Sequence, residues 1–191
     1  MSDPRAAMPG DDGNLRCPWA LSTPDYVMYH DEEWGRSLTT VDAMFERLTL
    51  EAFQSGLSWL IVLRKRPGFR AAFEGFSIPK VAGFDDSDVE RLLADAGIVR
   101  NRSKIEAAIS NARAALDLPG GMLAFAEGFA PTKPRPAPRT LGDLGSTSVE
   151  SIALAKALKA EGFRFVGPTT AYALMQATGL VNDHLADCWV R

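Results

Sequence analysis

The chain holds only two cysteines and two histidines in 191 residues, and they lie at its two ends. Cys17 and His30 are separated by twelve residues, His184 and Cys188 by three. Two thiolates and two imidazoles complete a tetrahedral zinc set with no protein ligand to spare. A metal held by all four would close nearly the whole chain into a loop, so any fold must bring the first ordered residues against the last. Four protein ligands leave no open coordination position, so one structural zinc ion is expected rather than a catalytic one. His184 and Cys188 are i and i+4, and one helical turn would put both on one face. Asp31 and Asp183, each beside a ligand histidine, read as hydrogen-bond partners of the ligands or as ordinary helix-terminal acids. The spacing is not that of a zinc finger, and chance proximity of two rare residue types is the competing reading.

Charge and length bound the rest. Twenty-one basic and 24 acidic side chains give a net charge of -3, which argues against a protein that coats nucleic acid by bulk charge. It leaves room for a DNA enzyme with a local basic face. No window approaches the roughly 18 apolar residues of a membrane span. The start, Met1 to Asn14, is polar and acidic with no apolar run for export. Two cysteines without a leader point to a reducing compartment, the cytoplasm. Residues 1–14 are expected to form a disordered tail and 15–191 a single domain. Nothing marks an oligomer interface, and a monomer is expected.

The periodicity is helical. Thr39 or Thr40 caps a stripe through Val41, Met44, Phe45, Leu48 and Ala52, ended by Gly56. Leu57 to Leu63 is apolar and reads equally as buried helix or strand. Ser87 with Glu90, Ser103 with Glu106 and Thr147 with Glu150 form capping-box patterns before further helices. Gly97 reads as a helix stop. Pro168 suits the first turn of a last helix that Gly179 stops. No alternating strand is convincing, so the fold class is all-α. Pro131 to Arg139, with four prolines in its first eight positions, reads as an extended surface loop.

Several catalytic signatures are absent: no phosphate-binding glycine loop, no H-E-x-x-H, no G-x-S-x-G. With both histidines claimed by the metal reading, a nucleophilic serine or cysteine has no base. Hydrolysis here must use carboxylates, aromatics and electrostatics. Gly162 to Thr170 carries a helix–hairpin–helix pattern, in which Gly167 frees backbone N–H groups at a helix start to cradle a DNA phosphate, and Thr169 and Thr170 add hydroxyls. A plain turn between packed helices explains the same segment. Arg100, Arg102 and Lys104 near Gly97, and Arg64-Lys65-Arg66, are weaker basic clusters. Trp19, Tyr26, Tyr29 and Trp34 crowd an otherwise polar stretch, with Trp59 further on, a composition suited to a stacking pocket. Glu51, at the edge of the Met44–Leu48 stripe, is a surface acid or a carboxylate aimed into that pocket.

Together these blocks resemble the 3-methyladenine DNA glycosylase I family. The resemblance is carried by Cys17-Pro18-Trp19, Tyr26 through Tyr29-His30-Asp31-Glu32-Glu33-Trp34-Gly35, Leu50-Glu51 with Gln54-Ser55-Gly56-Leu57-Ser58-Trp59, Phe165-Val166-Gly167, and Asn182-Asp183-His184 with Cys188. The blocks occur in order from Cys17 to Cys188. The resemblance implies an all-α helix–hairpin–helix glycosylase with structural zinc on Cys17, His30, His184 and Cys188. It also implies Glu51, Tyr26, Tyr29, Trp19 and Trp59 around an extruded base.

The implied activity is excision of N3-methyladenine from alkylated double-stranded DNA during base excision repair. N3 methylation leaves the base cationic, so it departs neutral with little acid catalysis. Aromatic faces favour the cation, and Glu51 accepts hydrogen bonds from the adenine edge. No lysine stands out as a Schiff-base nucleophile, so a monofunctional enzyme leaving an abasic site is expected. The group that activates water is open. Asp183, sixteen residues past Gly167, ranks below Glu51. The competing classes are a zinc-stapled DNA- or protein-binding module without catalysis, and a zinc hydrolase, which needs an open metal position.

Overall fold

The structure, a computed structural model, describes residues 3–133 and 135–191. It is mostly helical. Among the described residues nine α-helices run in chain order: α1 Pro24–Glu32, α2 Val41–Gln54, α3 Trp59–Ala72, α4 Ile78–Ala82, α5 Asp86–Ala94, α6 Arg102–Leu116, α7 Gly121–Glu127, α8 Val149–Ala160 and α9 Pro168–Ala177. Among the described residues the sheet is a short antiparallel pair, β1 Met8–Pro9 and β2 Leu15–Arg16. Among the described residues no helix is long and apolar enough to cross a membrane.

Helix α2 organises the molecule. Thr40 caps it, its hydroxyl accepting from the Ala43 N–H, which satisfies one of the orphan donors of the first turn. It packs against α3, α6, α7 and α9. A helix touched on so many sides buries more than one stripe. Met44, Phe45, Leu48 and Phe53 are at most 1% exposed, and Arg47, Thr49 and Glu51 are buried as well. Phe53 meets Phe69 of α3 edge-on at 4.8 Å, and Phe73 stacks on Phe76 at 5.5 Å. This phenylalanine cluster is the floor on which α2 rests.

Several helix starts differ from the sequence expectation by a residue or two. The capping box before α5 is Asp85 with Asp88, not Ser87 with Glu90. A carboxylate at the cap takes two backbone donors at once, and the Ser87 hydroxyl itself donates to Asp85. Asn101 caps α6 and Ser148 caps α8. Leu57 to Leu63 resolves as a loop and then helix α3. Gly97 does not stop α5, which ends at Ala94.

In place of the tail expected over residues 1–14, the segment from Asp3 to Asn14 lies against the body of the protein. Beyond the β1–β2 pairing, Ala6 bridges Thr140, and the Leu141 N–H donates to the Arg5 carbonyl at 2.9 Å. Arg16 is the reason. Its guanidinium is buried and binds Asp12 at 2.6 and 2.7 Å and Asp31 at 2.7 Å. The buried cation needs both carboxylates, and Asp12 therefore draws the preceding turn onto the protein. Met1 and Ser2 lie outside the described residues.

The chain ends meet as the four soft ligands require. The Trp189 N–H donates to the Leu15 carbonyl, and the Ala186 N–H to Pro138. The segment after α1 runs beside the end of α9. The Gly35 N–H donates to the Ala177 carbonyl at 3.3 Å, and a side chain on Gly179 would lie 2.6 Å from the Gly35 carbonyl oxygen. Both glycines have φ above +70°, a region other residues rarely adopt. Within the Pro131–Arg139 loop, Pro134 lies outside the described residues; 135–138 has no regular structure and runs along the C-terminal segment.

Candidate base pocket and metal cluster

Two neighbouring sites occupy the face where α1, α2, α3 and α9 converge. The first is a cavity of about 320 Å³ lined by Trp19, Tyr26, Tyr29, Trp34, Glu51, Gln54, Trp59, Leu144, Ala173 and Gln176. Its size suits a flat heteroaromatic ligand held in a pocket. Tyr26 and Tyr29 come from α1, Glu51 and Gln54 from α2, and Trp59 begins α3. Trp19 projects from a single 3-10 turn, Pro18–Ser22, and Ala173 and Gln176 from α9.

The aromatic walls brace one another. Trp19 packs edge-on to Tyr26 at 5.8 Å and to Trp34 at 5.1 Å, while Tyr29 and Trp59 lie 5.5 Å apart. Rings fixed in this way present faces at little entropic cost when a flat ligand enters. Trp59 is half-buried, and its ring is available on the cavity side.

Among the described residues Glu51 is the only acid in the lining. It is 6% exposed, and among the described residues no hydrogen bond reaches its carboxylate. Desolvation by burial pushes its pKa up to about 7, opposed by the positive charge of Arg47. A carboxylate without protein donors has its acceptor lone pairs free for a ligand. The Tyr29 phenol is also pushed up by burial, so it stays protonated and able to donate.

Behind this wall is a charged layer. Arg66 grips Glu33 with two bonds at 2.5 and 2.6 Å. Burial works against the Glu33 charge, yet the Arg66 contact holds its carboxyl below the ordinary range. Arg47 donates to the Tyr29 hydroxyl oxygen at 2.9 Å and reaches Glu33 at 3.5 Å. Arg66, one of the basic cluster Arg64-Lys65-Arg66, is therefore an internal ion-pair partner.

The second site is the Cys17, His30, His184 and Cys188 cluster, all buried, with one candidate ligand atom from each within 4.8 Å of the others. His30 Nε2 and His184 Nδ1 are 3.2 Å apart, and Cys188 Sγ lies 3.4 Å from the first and 3.6 Å from the second. Tetrahedral zinc, with Zn–N of about 2.05 Å and Zn–S of about 2.3 Å, needs N···N edges of about 3.3 Å and N···S edges of about 3.6 Å. The donor set and its spacing fit. The other ring nitrogens are engaged: His30 Nδ1 with Asp31 at 2.8 Å, His184 Nε2 with the Trp34 carbonyl at 3.1 Å. That leaves His30 Nε2 and His184 Nδ1 as the inward-facing atoms, the second-sphere pattern of metal-binding histidines.

One expectation about this cluster changes. No helical turn joins His184 to Cys188; residues 182–190 form tight turns, with Cys188 N–H donating to the Leu185 carbonyl at 2.9 Å. Asp31 is the hydrogen-bond partner of His30, as one reading had it. Asp183 is not: its carboxylate accepts from Tyr172 at 2.5 Å and Gln176 at 2.9 Å. It lies outside the cavity lining and orients Gln176, which lies within it.

Gly162 to Gly167 forms a turn between α8 and α9, with Gly167 at the start of α9 and open space around it. Asn111 of α6 pins this turn, its side chain accepting from the Arg164 N–H at 2.7 Å and donating to the Arg164 carbonyl at 3.0 Å. Thr169 and Thr170 lie in the first turn of α9. Of the basic cluster near Gly97, Arg100 and Arg102 are exposed. Lys104 is buried and donates to the carbonyls of Phe53 and Ser55, closing the end of α2.

The structure thus brings Trp19, Tyr26, Tyr29, Trp59 and Glu51 into one cavity, together with Trp34, Gln54, Leu144, Ala173 and Gln176. Trp34 was visible in the aromatic block. Leu144, Ala173 and Gln176 come from distant segments, and no local pattern in the chain marks them. The two sites share a wall: the Trp34 ring, in the cavity lining, lies 4.6 Å from the His184 ring, and Trp19 lies 5.3 Å from His30.

A helical scaffold with a buried carboxylate in an aromatic cavity, next to a Cys2His2 cluster, defines a protein built to hold a flat, electron-poor ring. Comparison with known proteins gives that class its family. Residues 19–191 match the methyladenine glycosylase family, and the chain belongs to it. It is 46% identical over 177 residues to DNA-3-methyladenine glycosylase 1 of Escherichia coli (strain K12), covering 91% of this chain and 95% of that protein. It is 40% identical over 181 residues to DNA-3-methyladenine glycosylase of Haemophilus influenzae, covering 91% and 96%. The structure of 3-methyladenine DNA glycosylase I from Staphylococcus aureus, solved for its recognition of 3-methyladenine, superposes with a TM-score of 0.87 at 34% identity, over 92% of this chain and 95% of that one.

Proposed function

We propose that this protein is a DNA-3-methyladenine glycosylase that extrudes N3-methyladenine from alkylated double-stranded DNA and hydrolyses its glycosidic bond. The observation that carries the reading is Glu51: a buried carboxylate with no protein donor, inside a cavity walled by Trp19, Tyr26, Tyr29, Trp34 and Trp59. A buried carboxylate that accepts no hydrogen bond costs stability, and a cationic base that donates to it relieves the cost. Neutral adenine lacks the charge that Glu51 and the aromatic faces reward.

In this reading Trp59, Trp19, Tyr26 and Tyr29 bind the flipped base and Glu51 accepts hydrogen bonds from its edge. The C1′–N9 bond breaks with its electron pair moving to the base, which neutralises the N3-methyl cation. Water then adds to C1′ and loses a proton, leaving an abasic site. With no lysine in the cavity lining, the enzyme is monofunctional, with no lyase step. Borohydride should trap no covalent adduct with DNA.

The α8–turn–α9 unit is proposed as a helix–hairpin–helix DNA contact. The free N–H groups at Gly167 and the hydroxyls of Thr169 and Thr170 would bind a phosphate without reading sequence. The Cys17, His30, His184, Cys188 cluster is proposed to hold one structural zinc ion that ties the chain ends together and supports Trp19 and Trp34. With four protein ligands it would supply no catalytic water, which sets aside the hydrolase reading. A monomer acting in a reducing, cytoplasmic setting suits two thiolates kept for metal.

The test is chromatographic identification of bases released from methylated duplex DNA. Free 3-methyladenine is expected, in lower amount for Glu51→Gln. Weak binding to undamaged DNA with no release, unchanged by Glu51→Gln or Trp59→Ala, would instead establish a non-catalytic binding module.

A further inference from the structure

Arg47 is an unusual residue to find where it is. It lies on α2 between Met44 and Leu48 of the core, and it is 7% exposed. A buried arginine needs partners for five donors. Its named partners are the Tyr29 hydroxyl oxygen at 2.9 Å and Glu33 at 3.5 Å, and its charge lies over the Tyr29 ring 5.3 Å from the centroid. Glu33 is already gripped by Arg66, so Arg47 is not needed to neutralise it. Within the layer, Glu33 and Arg66 cancel, and the remaining pair is Arg47 with Glu51. They are i and i+4 on one helix, so they share a face.

We propose that Arg47 is a positioning residue of the base pocket: it fixes the donor direction of Tyr29 and balances the buried negative charge of Glu51. This rests on the glycosylase reading above and extends it to a residue outside the cavity lining.

Two physical arguments carry the proposal. First, a guanidinium only donates. The Tyr29 oxygen therefore accepts from Arg47, and its own O–H hydrogen must point away from that guanidinium. Tyr29 and Glu51 both line the cavity, and the bond from Arg47 makes the phenol an oriented donor rather than a free rotor. Second, burial favours the protonated form of Glu51, and Arg47 is the charge that opposes it. The charged and titratable groups facing Glu51 are Arg47 on its own helix and Tyr26 and Tyr29 of α1 in the cavity lining, with Glu33 and Arg66 around Tyr29. A protonated Glu51 would lose its preference for a cationic base. Arg47 keeps the carboxylate available near neutral pH without occupying its lone pairs, which a direct salt bridge would do.

The experiment follows the Glu51 carboxyl directly. The protein is labelled with glutamate carrying carbon-13 at the carboxyl, and the resonance missing in Glu51→Gln assigns Glu51. Its titration midpoint is measured in wild type, Arg47→Met, Arg47→Gln and Arg47→Lys, each checked for fold by circular dichroism. The midpoint should rise by about one pH unit in the Met and Gln variants, where the charge is lost, and stay near wild type in Lys. If Arg47→Met fails to fold, Arg47→Gln, which still donates to Tyr29, carries the comparison. Equal midpoints with and without charge at residue 47 would overturn the proposal. In parallel, the acid limb of 3-methyladenine release should move up by the same interval in the neutral variants. If wild type releases no base while the midpoint still follows residue 47, the glycosylase reading fails and the charge balance stands.

Discussion

His30 Nε2 and His184 Nδ1 approach to 3.2 Å across 154 residues of chain, and the aromatic cavity is built directly against that contact. Trp34 and Trp19 each touch one of the two imidazoles and also line the cavity. The cluster at the chain ends therefore also backs two residues of the pocket wall, Trp19 and Trp34.

Metal analysis of the purified protein should find one zinc per chain. Cys188→Ser should lose it and lower the melting temperature by more than about 10 °C, since losing a closed four-ligand site costs several kcal/mol in a chain of this length. The same variant should weaken binding of 3-methyladenine, because Trp34 and Trp19 lose their backing. A full-strength Cys188→Ser protein without metal would remove the cluster from the account.

Glu51→Gln should be more stable than wild type at pH 8. In the fold the Glu51 carboxyl is pushed up to about 7 by burial, above its ordinary 4.5. Between these values the folded protein keeps a proton that the unfolded chain has lost. The stability is fully present below pH 4.5 and is lost as pH rises through 7. The amide removes that pH dependence, a gain of roughly 3 kcal/mol at pH 8 that shrinks toward acid. Denaturant melts at several pH values measure it. A difference that does not vary with pH would contradict the buried carboxylate.

Much of this arrangement was legible in the chain, for identifiable reasons. The Cys17, His30, His184, Cys188 set stood out because rare residues with no spare leave one way to combine. Glu51 stood out as an acid beside an apolar stripe, and the Trp and Tyr block stood out in a polar context. Arg47 did not. Between Met44 and Leu48 it reads as an ordinary outward position, and only the packing of α2 on many sides turns that position inward. Helix α1 lacks an apolar stripe because its buried residues, Tyr29 and His30, serve the pocket and the cluster rather than the core. The cap of α5 was misplaced because Asp85 and Ser87 begin overlapping capping patterns, and the stronger carboxylate acceptor won. Gln176 and Leu144 reach the pocket through tertiary contacts that no local period encodes.

Trp59→Ala should weaken binding of 3-methyladenine about ten- to a hundredfold, the loss of one stacking face being worth about 1–3 kcal/mol. The melting temperature should change little, because Trp59 is half-buried at the start of α3. Quenching of the remaining tryptophan fluorescence by the free base reports the affinity. An unchanged dissociation constant would place the base elsewhere.

Asn111→Ala should loosen the turn between α8 and α9. Asn111 is 2% exposed and satisfies both backbone groups of Arg164. Leaving them unpaired costs about 1–3 kcal/mol. Affinity for duplex DNA should fall for damaged and undamaged DNA alike, since a phosphate contact carries no base selectivity. Fluorescence anisotropy on both duplexes tests this, and a loss confined to damaged DNA would contradict a backbone role.

The central claim is that a buried carboxylate in an aromatic cavity selects and excises a cationic base. Single-turnover release of 3-methyladenine from methylated duplex DNA, wild type against Glu51→Gln, tests it most directly. The account predicts release by wild type and a rate about ten- to a hundredfold lower in the variant, the worth of a charge-assisted hydrogen bond of about 1.5–3 kcal/mol. Equal rates in the two proteins would contradict the role of Glu51, and no release from folded wild type would contradict the function itself.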